Sequence, residues 1–334
     1  MSHSTRRIAL AALVAGAALA LAPAASAQNV LRIGTVVGAP HPMIALVEDY
    51  KKQIEQGTGG AIVVQFYPNA QLGGEREMAE AMRIGSLEGS FNTLSVFSTW
   101  VPLASVFDMP FIFRDDAHAF AAYSGAPGQK LAEAFPPQGF RVLGYFLAGV
   151  RNVFATFPVL KPEDVKGHKM RTLQSPLHLQ IWSSMGANPT PIPAPEIYNA
   201  LQTKVVEIAD NTATNYVNEK WYEVAPHYST TGHIYAIGAM FLSERWFQRQ
   251  KPEHQKVLFD ATAGMSKALH KAIVDSDAES LGKAVAAGAK VYRIENKEAW
   301  AAPMRPIWDE WIGQDAQRRE LIQSIVATRS AALQ

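Results

Sequence analysis

Short apolar runs alternate with amphipathic segments along the first third of the chain. The run at 31–37 (LRIGTVV) predicts a buried strand, and a proline-containing turn follows it. Apolar residues then recur with helical spacing, at Met43, Val47, Tyr50 and Ile54. A further strand and a further helix are predicted at 61–67 and 75–83. Strand and helix in succession favour a parallel sheet with crossover helices.

The same alternation returns downstream. Strands are predicted at 141–147, 151–156, 169–173 and 205–210, and helices at 176–185 and 196–202. A proline-free stretch from Pro252 to about Ala286 predicts one very long helix, and the Trp-rich segment after Glu298 is also helical in pattern. No glycine–serine linker separates two halves. We therefore predict an α/β fold whose chain crosses more than once between two lobes around a cleft.

The N-terminus has the pattern of an export signal. A short basic start precedes an apolar run at 8–21, and Ala25-Ser26-Ala27 supplies an A-x-A cleavage site. This pattern predicts a signal peptide cleaved after Ala27, because the run is shorter than the roughly 20 residues that span a membrane. Export through the general or the twin-arginine route stays open. The expected location is the periplasm, and no later segment predicts membrane insertion of the mature chain.

Length, cysteine content and net charge exclude several classes of function. The 334 residues suggest about two domains. Cysteine is absent, which excludes disulfides, thiolate metal sites and cysteine nucleophiles. Without the first 27 residues, 29 basic side chains face 30 acidic ones. Such a nearly neutral chain has no overall positive electrostatic potential that would attract nucleic acid. No nucleic-acid partner is therefore expected, and any anion site must be local.

Common catalytic and cofactor motifs are missing from the sequence. It contains no G-x-S-x-G, phosphate-binding glycine loop or H-E-x-x-H, and its nine histidines are scattered singly. We therefore expect no enzyme activity, no cofactor and no metal-ligating residues, and whether a metal ion assists ligand binding stays open. His41, in the turn before the first helix, is the one histidine placed near a cleft. A capping or packing role is weighed there against a ligand contact.

Basic and amide side chains at strand ends are the remaining candidates for chemistry. Arg151, Arg171 and Asn211 lie on or beside predicted strands. Strand ends of an α/β lobe face the ligand crevice, and an arginine there offers a planar fork of donors to a carboxylate. The alternative is that Arg171 is a surface arginine or part of a structural ion pair.

Residues 160–211, LKPEDVKGHKMRTLQSPLHLQIWSSMGANPTPIPAPEIYNALQTKVVEIADN, strongly resemble the DctP-type substrate-binding proteins of tripartite ATP-independent periplasmic (TRAP) transporters. Four other blocks agree in order and spacing: YPNAQLGGEREMAEAMRIGSLEG, FDMPFIFRDDAHA, LAGVRN and EKWYEVAPHYSTTGH. The resemblance runs from about Leu31 to about Lys290, which is nearly the whole mature chain.

This resemblance implies a two-lobed periplasmic-binding-protein-like fold with hinge strands and a long helix spanning both lobes. Lobe I would comprise 28–148 plus about 237–277, and lobe II 149–236 plus about 278–330. The ligand would close between the lobes and pass to a sodium-coupled TRAP membrane permease. The resemblance implies the ligand-binding residues Arg171 (pairing the carboxylate), Arg151, Asn211, Asn92, Thr93 and Glu75, to which we add His41 and Asp210.

The resemblance also bears on the ligand. The segment 92–96 (NTLSV) lacks the charged pair of the sialic-acid-binding branch, and Ala194 replaces a bulky aromatic of several relatives. We expect a small organic mono- or dicarboxylate, namely a hydroxy, keto or aromatic acid. Two alternatives stay open. One is a ligand-sensing partner of a membrane receptor. The other is a periplasmic hydrolase or lyase that uses His41, Asp210 or Glu207 as its base.

Overall fold

The computed structural model describes residues 29–331, so the predicted signal peptide lies outside the described residues. The chain alternates strands with helices. The strands are β1 Asn29–Gly34, β2 Ile62–Tyr67, β3 Gly89–Thr93, β4 Phe140–Ala155, β5 Lys169–Thr172, β6 Asn188–Pro191, β7 Ile208–Thr212, β8 His227–Ser243 and β9 Lys290–Tyr292. The helices are α1 Pro42–Gly57, α2 Glu75–Ile84, α3 Asp116–Ser124, α4 Ala126–Ala132, α5 Pro176–Ser184, α6 Ile197–Gln202, α7 Ala213–Asn218, α8 Glu244–Phe247, α9 Pro252–Ala286, α10 Lys297–Ile312 and α11 Ala316–Ala331.

All nine strands join one mixed sheet, so the prediction of a parallel sheet is wrong as a general statement. The strand order is β2-β1-β3-β8-β4-β7-β5-β6, with β9 beside β8. The pairs β1–β2, β1–β3, β5–β7 and β5–β6 are parallel, as the strand–helix alternation predicts. The long strands β4 and β8 run antiparallel to each other, and they join a first half (β2, β1, β3) to a second half (β7, β5, β6).

The long central strands are where the sequence predictions fail. The strands predicted at 141–147 and 151–156 are one strand, because Gly149 between them forms a β-bulge against β8 instead of ending it. No strand was predicted at 227–243, where β8 lies. β7 begins at Ile208, later than predicted, because Lys204 turns the chain with a positive φ of 60° and Val205 is exposed.

Helix α9 has the predicted bounds and contacts both halves. Its 35 residues extend over about 52 Å. In its first third, Thr262 is hydrogen-bonded to Tyr50 of α1, and in its last third Ser276 accepts a hydrogen bond from Thr214 of α7. Two buried apolar clusters flank the sheet, and the smaller one surrounds Phe154, Tyr216 and Trp221 in the second half. Between residues 29 and 331, no helix is long and apolar enough to cross a membrane.

Candidate ligand-binding site

A cavity lies where the two halves of the sheet face each other. It encloses about 610 Å³ of space, part of which is open to solvent. An added Cβ on Gly74, in the first half, would lie 3.5 Å from Pro193 Cβ in the second half, so the cleft is narrow. Seven of the eight predicted site residues line the cavity: His41, Glu75, Asn92, Thr93, Arg151, Arg171 and Asn211. Asp210, the eighth, is not among the lining residues.

Arg171 on β5 has the least satisfied side chain of the cavity. It is fully buried, and its Nε donates to the carbonyl oxygen of Ile192 at 2.8 Å. Its Nη1 and Nη2 find no hydrogen-bond partner within residues 29–331. Burial and the nearby Arg151 charge lower the pKa of Arg171 to about 10, so the guanidinium still carries its charge at neutral pH. A buried cation with free donors is a site for an anion.

Arg151 on β4 has its own counter-ion. Its Nε donates to Asp210 Oδ2 at 2.6 Å and its Nη2 to the Asp210 carbonyl oxygen at 2.7 Å. The Nε2 of His233 lies 3.2 Å from the same carboxylate oxygen. Burial opposes ionisation of Asp210, but Arg151 and His233 outweigh it and hold the pKa of that carboxyl well below its usual range. Asp210 thus neutralises Arg151 from the side away from the cavity, and it is not a lining residue.

Three predicted residues form one wall and support each other. Glu75 begins α2, and its Oε1 accepts from the backbone N–H of Thr93 at 2.7 Å. The Nδ2 of Asn92 donates to the Glu75 carbonyl oxygen at 3.0 Å. The Oδ1 of Asn92 is buried and has no partner in the described chain. This wall therefore offers an acceptor at a position set by hydrogen bonds.

His41 combines the two roles weighed from the sequence. Its Nδ1 accepts from the backbone N–H of Met43 at 3.2 Å, so the ring caps the N-terminus of α1. The same ring lines the cavity. Burial lowers the pKa of His41 to about 4, so the ring is neutral at pH 7. Because Nδ1 accepts, Nε2 carries the proton and is a donor.

Asn211 belongs to a pair of amides. Its Oδ1 accepts from the Nδ2 of Asn215 at 3.1 Å and from the N–H of Thr212 at 2.8 Å. Asn215 also lines the cavity, as does Thr35 after β1, and sequence reasoning missed both. The i, i+4 spacing of Asn211 and Asn215 across the start of a helix is the signal that would have found Asn215.

Two cationic and two acidic side chains meet in and behind this cavity, and of the two arginines Arg171 alone has both Nη atoms without a partner in the described chain. Within residues 29–331, no group of three or more His, Asp or Glu side chains is placed to hold a metal ion. The arrangement suits an anion that carries hydrogen-bonding groups. A family model described as "Bacterial extracellular solute-binding protein, family 7", the DctP family, matches residues 33–314.

The chain belongs to the DctP family.

DctP-family relatives match over nearly the full length. A solute-binding protein of Verminephrobacter eiseniae is 31% identical over 92% of this chain and 91% of its own. The C4-dicarboxylate-binding periplasmic protein DctP of Vibrio cholerae is 27% identical over 82% of this chain and 84% of its own. The crystal structure of a TRAP periplasmic solute-binding protein from a Bradyrhizobium species, in complex with D-galacturonate, superposes with a TM-score of 0.86 at 30% identity, covering 89% of this chain and 99% of that one.

These similarities confirm the family resemblance and the two-lobed periplasmic-binding-protein fold predicted from it. The half of the sheet with β1, β2 and β3 and the half with β5, β6 and β7 lie on opposite sides of the cavity. The cavity therefore lies in the cleft between the lobes of a DctP-family solute-binding protein.

Proposed function

We propose that this DctP-family protein captures a small organic carboxylate for a TRAP transporter and that Arg171 holds the ligand's carboxylate. The observation that carries the proposal is the buried guanidinium of Arg171, whose two Nη atoms have no partner in the described chain. Charge-assisted hydrogen bonds contribute about 1.5–3 kcal/mol each, and a bidentate carboxylate makes two of them. Relatives with bound galacturonate and glucuronate support the ligand class.

The remaining site residues would hold the rest of the ligand. The proton on Nε2 of His41 and the Oδ1 of Asn92 offer one donor and one acceptor from lobe I. Asn211 offers an amide from lobe II. Arg151, paired with Asp210, is a further cationic neighbour of the carboxylate. Because both lobes contribute, the ligand stabilises the closed form, and a closed protein is the form delivered to a sodium-coupled membrane permease.

The lobe boundaries follow from where the chain crosses. We infer that lobe I is 28–148 plus about 237–277 and that lobe II is 149–236 plus about 278–330. In support, Gly149 on β4 pairs with Ala236 on β8, so two proposed boundaries are neighbours in the sheet. The third is beside them, since the carboxylate of Asp277 on α9 accepts from the N–H of Val150 at 3.0 Å. The three crossings thus form one hinge.

Export and location complete the proposal. Residues 1–27 would act as the signal peptide, cleaved after Ala27, and the mature protein would work in the periplasm, where relatives such as the C4-dicarboxylate-binding protein of Vibrio cholerae are named as periplasmic. A ligand-sensing protein for a receptor would use the same cleft and differ only in its partner. Genetic dependence of uptake on this chain favours transport, and loss of a signalling response without loss of uptake favours sensing.

Enzyme activity is the weaker alternative, because its three candidate bases have other contacts. His41 caps a helix, Asp210 pairs with Arg151, and Glu207 accepts hydrogen bonds from His168 and from the N–H of Lys169. Glu207 does not line the cavity. A hydrolase or lyase would convert its ligand, which mass spectrometry of the incubated acid detects.

The test is a thermal-shift and calorimetric screen of residues 28–334 against small organic acids, after unfolding and refolding to remove bound ligand. A ligand at about 100 times its Kd stabilises the fold by about 2.7 kcal/mol. We expect Arg171→Ala to lose this stabilisation and Arg245→Ala, which removes an exposed arginine outside the cavity, to keep it. Wild-type affinity in Arg171→Ala contradicts the proposal.

A further inference from the structure

A second compartment adjoins the ligand cavity. It comprises about 550 Å³ of space, part of which is open to solvent, and four residues line both spaces: Val36, Val37, Ala194 and Asn215. The remaining walls of the compartment are Asn69, Ala70, Pro195, Glu219 and Trp221. Lobe I contributes Asn69 and Ala70, and lobe II contributes Pro195, Glu219 and Trp221, so the compartment closes together with the cleft.

Ala194 marks the boundary between the two spaces. It begins a short 3-10 turn after Pro193, and its side chain is a single methyl group. Because Ala194 lines both spaces, a larger side chain there would occupy the region that joins them. The small residue therefore leaves a ligand room to extend from Arg171 past position 194.

In the lobe I wall, backbone hydrogen bonds position Asn69. Asn69 and Ala70 both adopt left-handed backbone conformations with φ of 54°, and their N–H groups donate to the carbonyl oxygens of Val37 and Thr35, each at 3.0 Å. The Asn69 side chain packs directly on Gly38, where an added Cβ would lie 1.6 Å from Asn69 Oδ1. The backbone of Asn69 is thus fixed by the same loop that lines the ligand cavity, and its exposed side chain lines the compartment.

The lobe II wall is polar and acidic. Asn215 is oriented by its bond to Asn211, and Glu219 follows it one helical turn later, with its N–H donating to the Asn215 carbonyl oxygen at 2.9 Å. Glu219 is exposed, and desolvation by its neighbours raises the pKa of its carboxyl. Lysine, arginine and histidine are all missing from the lining of this compartment.

The charges of the two spaces therefore differ. The ligand cavity has two guanidinium groups, of which Arg151 is paired with Asp210 while Arg171 has both Nη atoms unpaired in the described chain, and it has one carboxylate, that of Glu75. The compartment has two amides and one carboxylate. Amides and carboxylates bind hydroxyl groups well, whereas a second ligand carboxylate would face Glu219 with no compensating cation.

We propose that the ligand is a polyhydroxylated monocarboxylate whose carboxylate lies on Arg171 and whose hydroxylated end passes Ala194 toward Asn69, Asn215 and Glu219. Glu219 discriminates against a dicarboxylate of the same length. This proposal rests on the proposed function. It chooses between a monocarboxylate and a dicarboxylate, which the relatives leave open because one of them has bound galacturonate and another is a C4-dicarboxylate-binding protein.

The experiment compares matched acids on refolded residues 28–334 by calorimetry. The probes are the sugar monocarboxylates D-gluconate, D-galactonate, D-glucuronate and D-galacturonate, the corresponding dicarboxylates D-glucarate and galactarate, and the short acids D-glycerate and succinate. We expect the tightest binding for a sugar monocarboxylate, at least about 100-fold tighter than for its dicarboxylate, which corresponds to about 2.7 kcal/mol.

Two variants test the assignment of the compartment. Glu219→Gln should reduce that discrimination at least tenfold by strengthening dicarboxylate binding, whereas Glu223→Gln, which removes a carboxylate outside the compartment, should leave it unchanged. Ala194→Phe should weaken the best sugar acid at least 50-fold while D-glycerate binds as in wild type, which also shows that the variant is folded.

The outcomes separate the two proposals. If succinate or a sugar dicarboxylate binds most tightly, or if neither variant changes sugar-acid selectivity, the compartment assignment is overturned and the carboxylate function of Arg171 stands. If no acid binds to the refolded wild type and Arg171→Ala changes nothing, both proposals fail.

Discussion

Arg151 and Asp210 form a fully buried ion pair that joins β4 to β7, with 2.6 Å between Nε and Oδ2. A second bond from Arg151 Nη2 to the Asp210 carbonyl oxygen holds the guanidinium in one orientation. The pair neutralises one of the two arginines of the cleft. Arg171 is consequently the residue whose charge must be met by the ligand, and this division of roles leads to several measurable effects.

Removing the counter-ion of Arg151 should destabilise the fold severely. Asp210→Asn leaves a buried, ionised guanidinium without its partner, and breaking such a pair costs about 3–5 kcal/mol. Urea unfolding should show this loss in the free energy of unfolding. Glu298→Gln, which breaks the exposed pair with Arg305, should produce no measurable change. A loss below about 1 kcal/mol in Asp210→Asn would mean that the pair is not buried in solution.

Arg171 should set the conformation of the ligand-free protein. Closing the cleft buries its two Nη groups without partners, at a cost of about 1–3 kcal/mol, so the empty wild type favours an open form. Arg171→Met removes this cost and should shift the population toward the closed form. Small-angle scattering should therefore give the ligand-free variant a smaller radius of gyration than the ligand-free wild type. Equal radii would show that Arg171 does not oppose closure.

His41 should make the protein less stable as the pH falls. Above about pH 6.5 the ring is neutral in both folded and unfolded chains, so it has no effect. Between about pH 6.5 and its folded pKa of about 4, the unfolded chain binds a proton that the folded chain does not. The free energy of unfolding therefore decreases on acidification by up to about 1.4 kcal/mol per pH unit from this group.

His41→Asn is the variant that isolates this effect, because asparagine also caps a helix N-terminus. Urea unfolding at several pH values should give a shallower loss of stability for His41→Asn than for wild type between pH 6 and 4.5. Parallel curves would place the His41 ring in solvent. His41→Ala should in addition lose about 1 kcal/mol at pH 8, since it removes the cap.

Gly149 should be the glycine of the hinge that tolerates no side chain. Its φ is 126°, and an added Cβ would lie 2.6 Å from Asp277 Oδ2 and 2.7 Å from Thr212 Cγ2. Gly149→Ala should displace Asp277 from Val150 and lower both the melting temperature and the ligand affinity. Gly288→Ala, with a φ of 98° and no atom within 4 Å of the added Cβ, measures backbone strain alone and should cost about 1 kcal/mol. If both substitutions lower the melting temperature equally, the added Cβ of Gly149→Ala does not clash with Asp277.

Several features could be predicted from the sequence because their causes are local. The long helix α9 lies between Pro252 and Gly288, and its interior has no proline, so its length could be predicted almost to the residue. Arg171 and Asn211 are at the ends of short strands, and strand ends face the cleft in an α/β lobe. Seven of the eight predicted residues accordingly lie around one cavity.

Other features depend on residues far apart in the chain, and only the tertiary structure decided them. β4 is continuous through Gly144 and Gly149 because β8, about 90 residues later in sequence, pairs with it across both bulges. Asp210 neutralises Arg151 because β4 and β7 are adjacent in the sheet, although 59 residues separate the two side chains. The sequence by itself determined the long helix α9 and seven of the residues that line the cleft. Which arginine has a carboxylate partner was decided by strand pairing, because the energy of a buried charge depends on the partner that the fold brings to it.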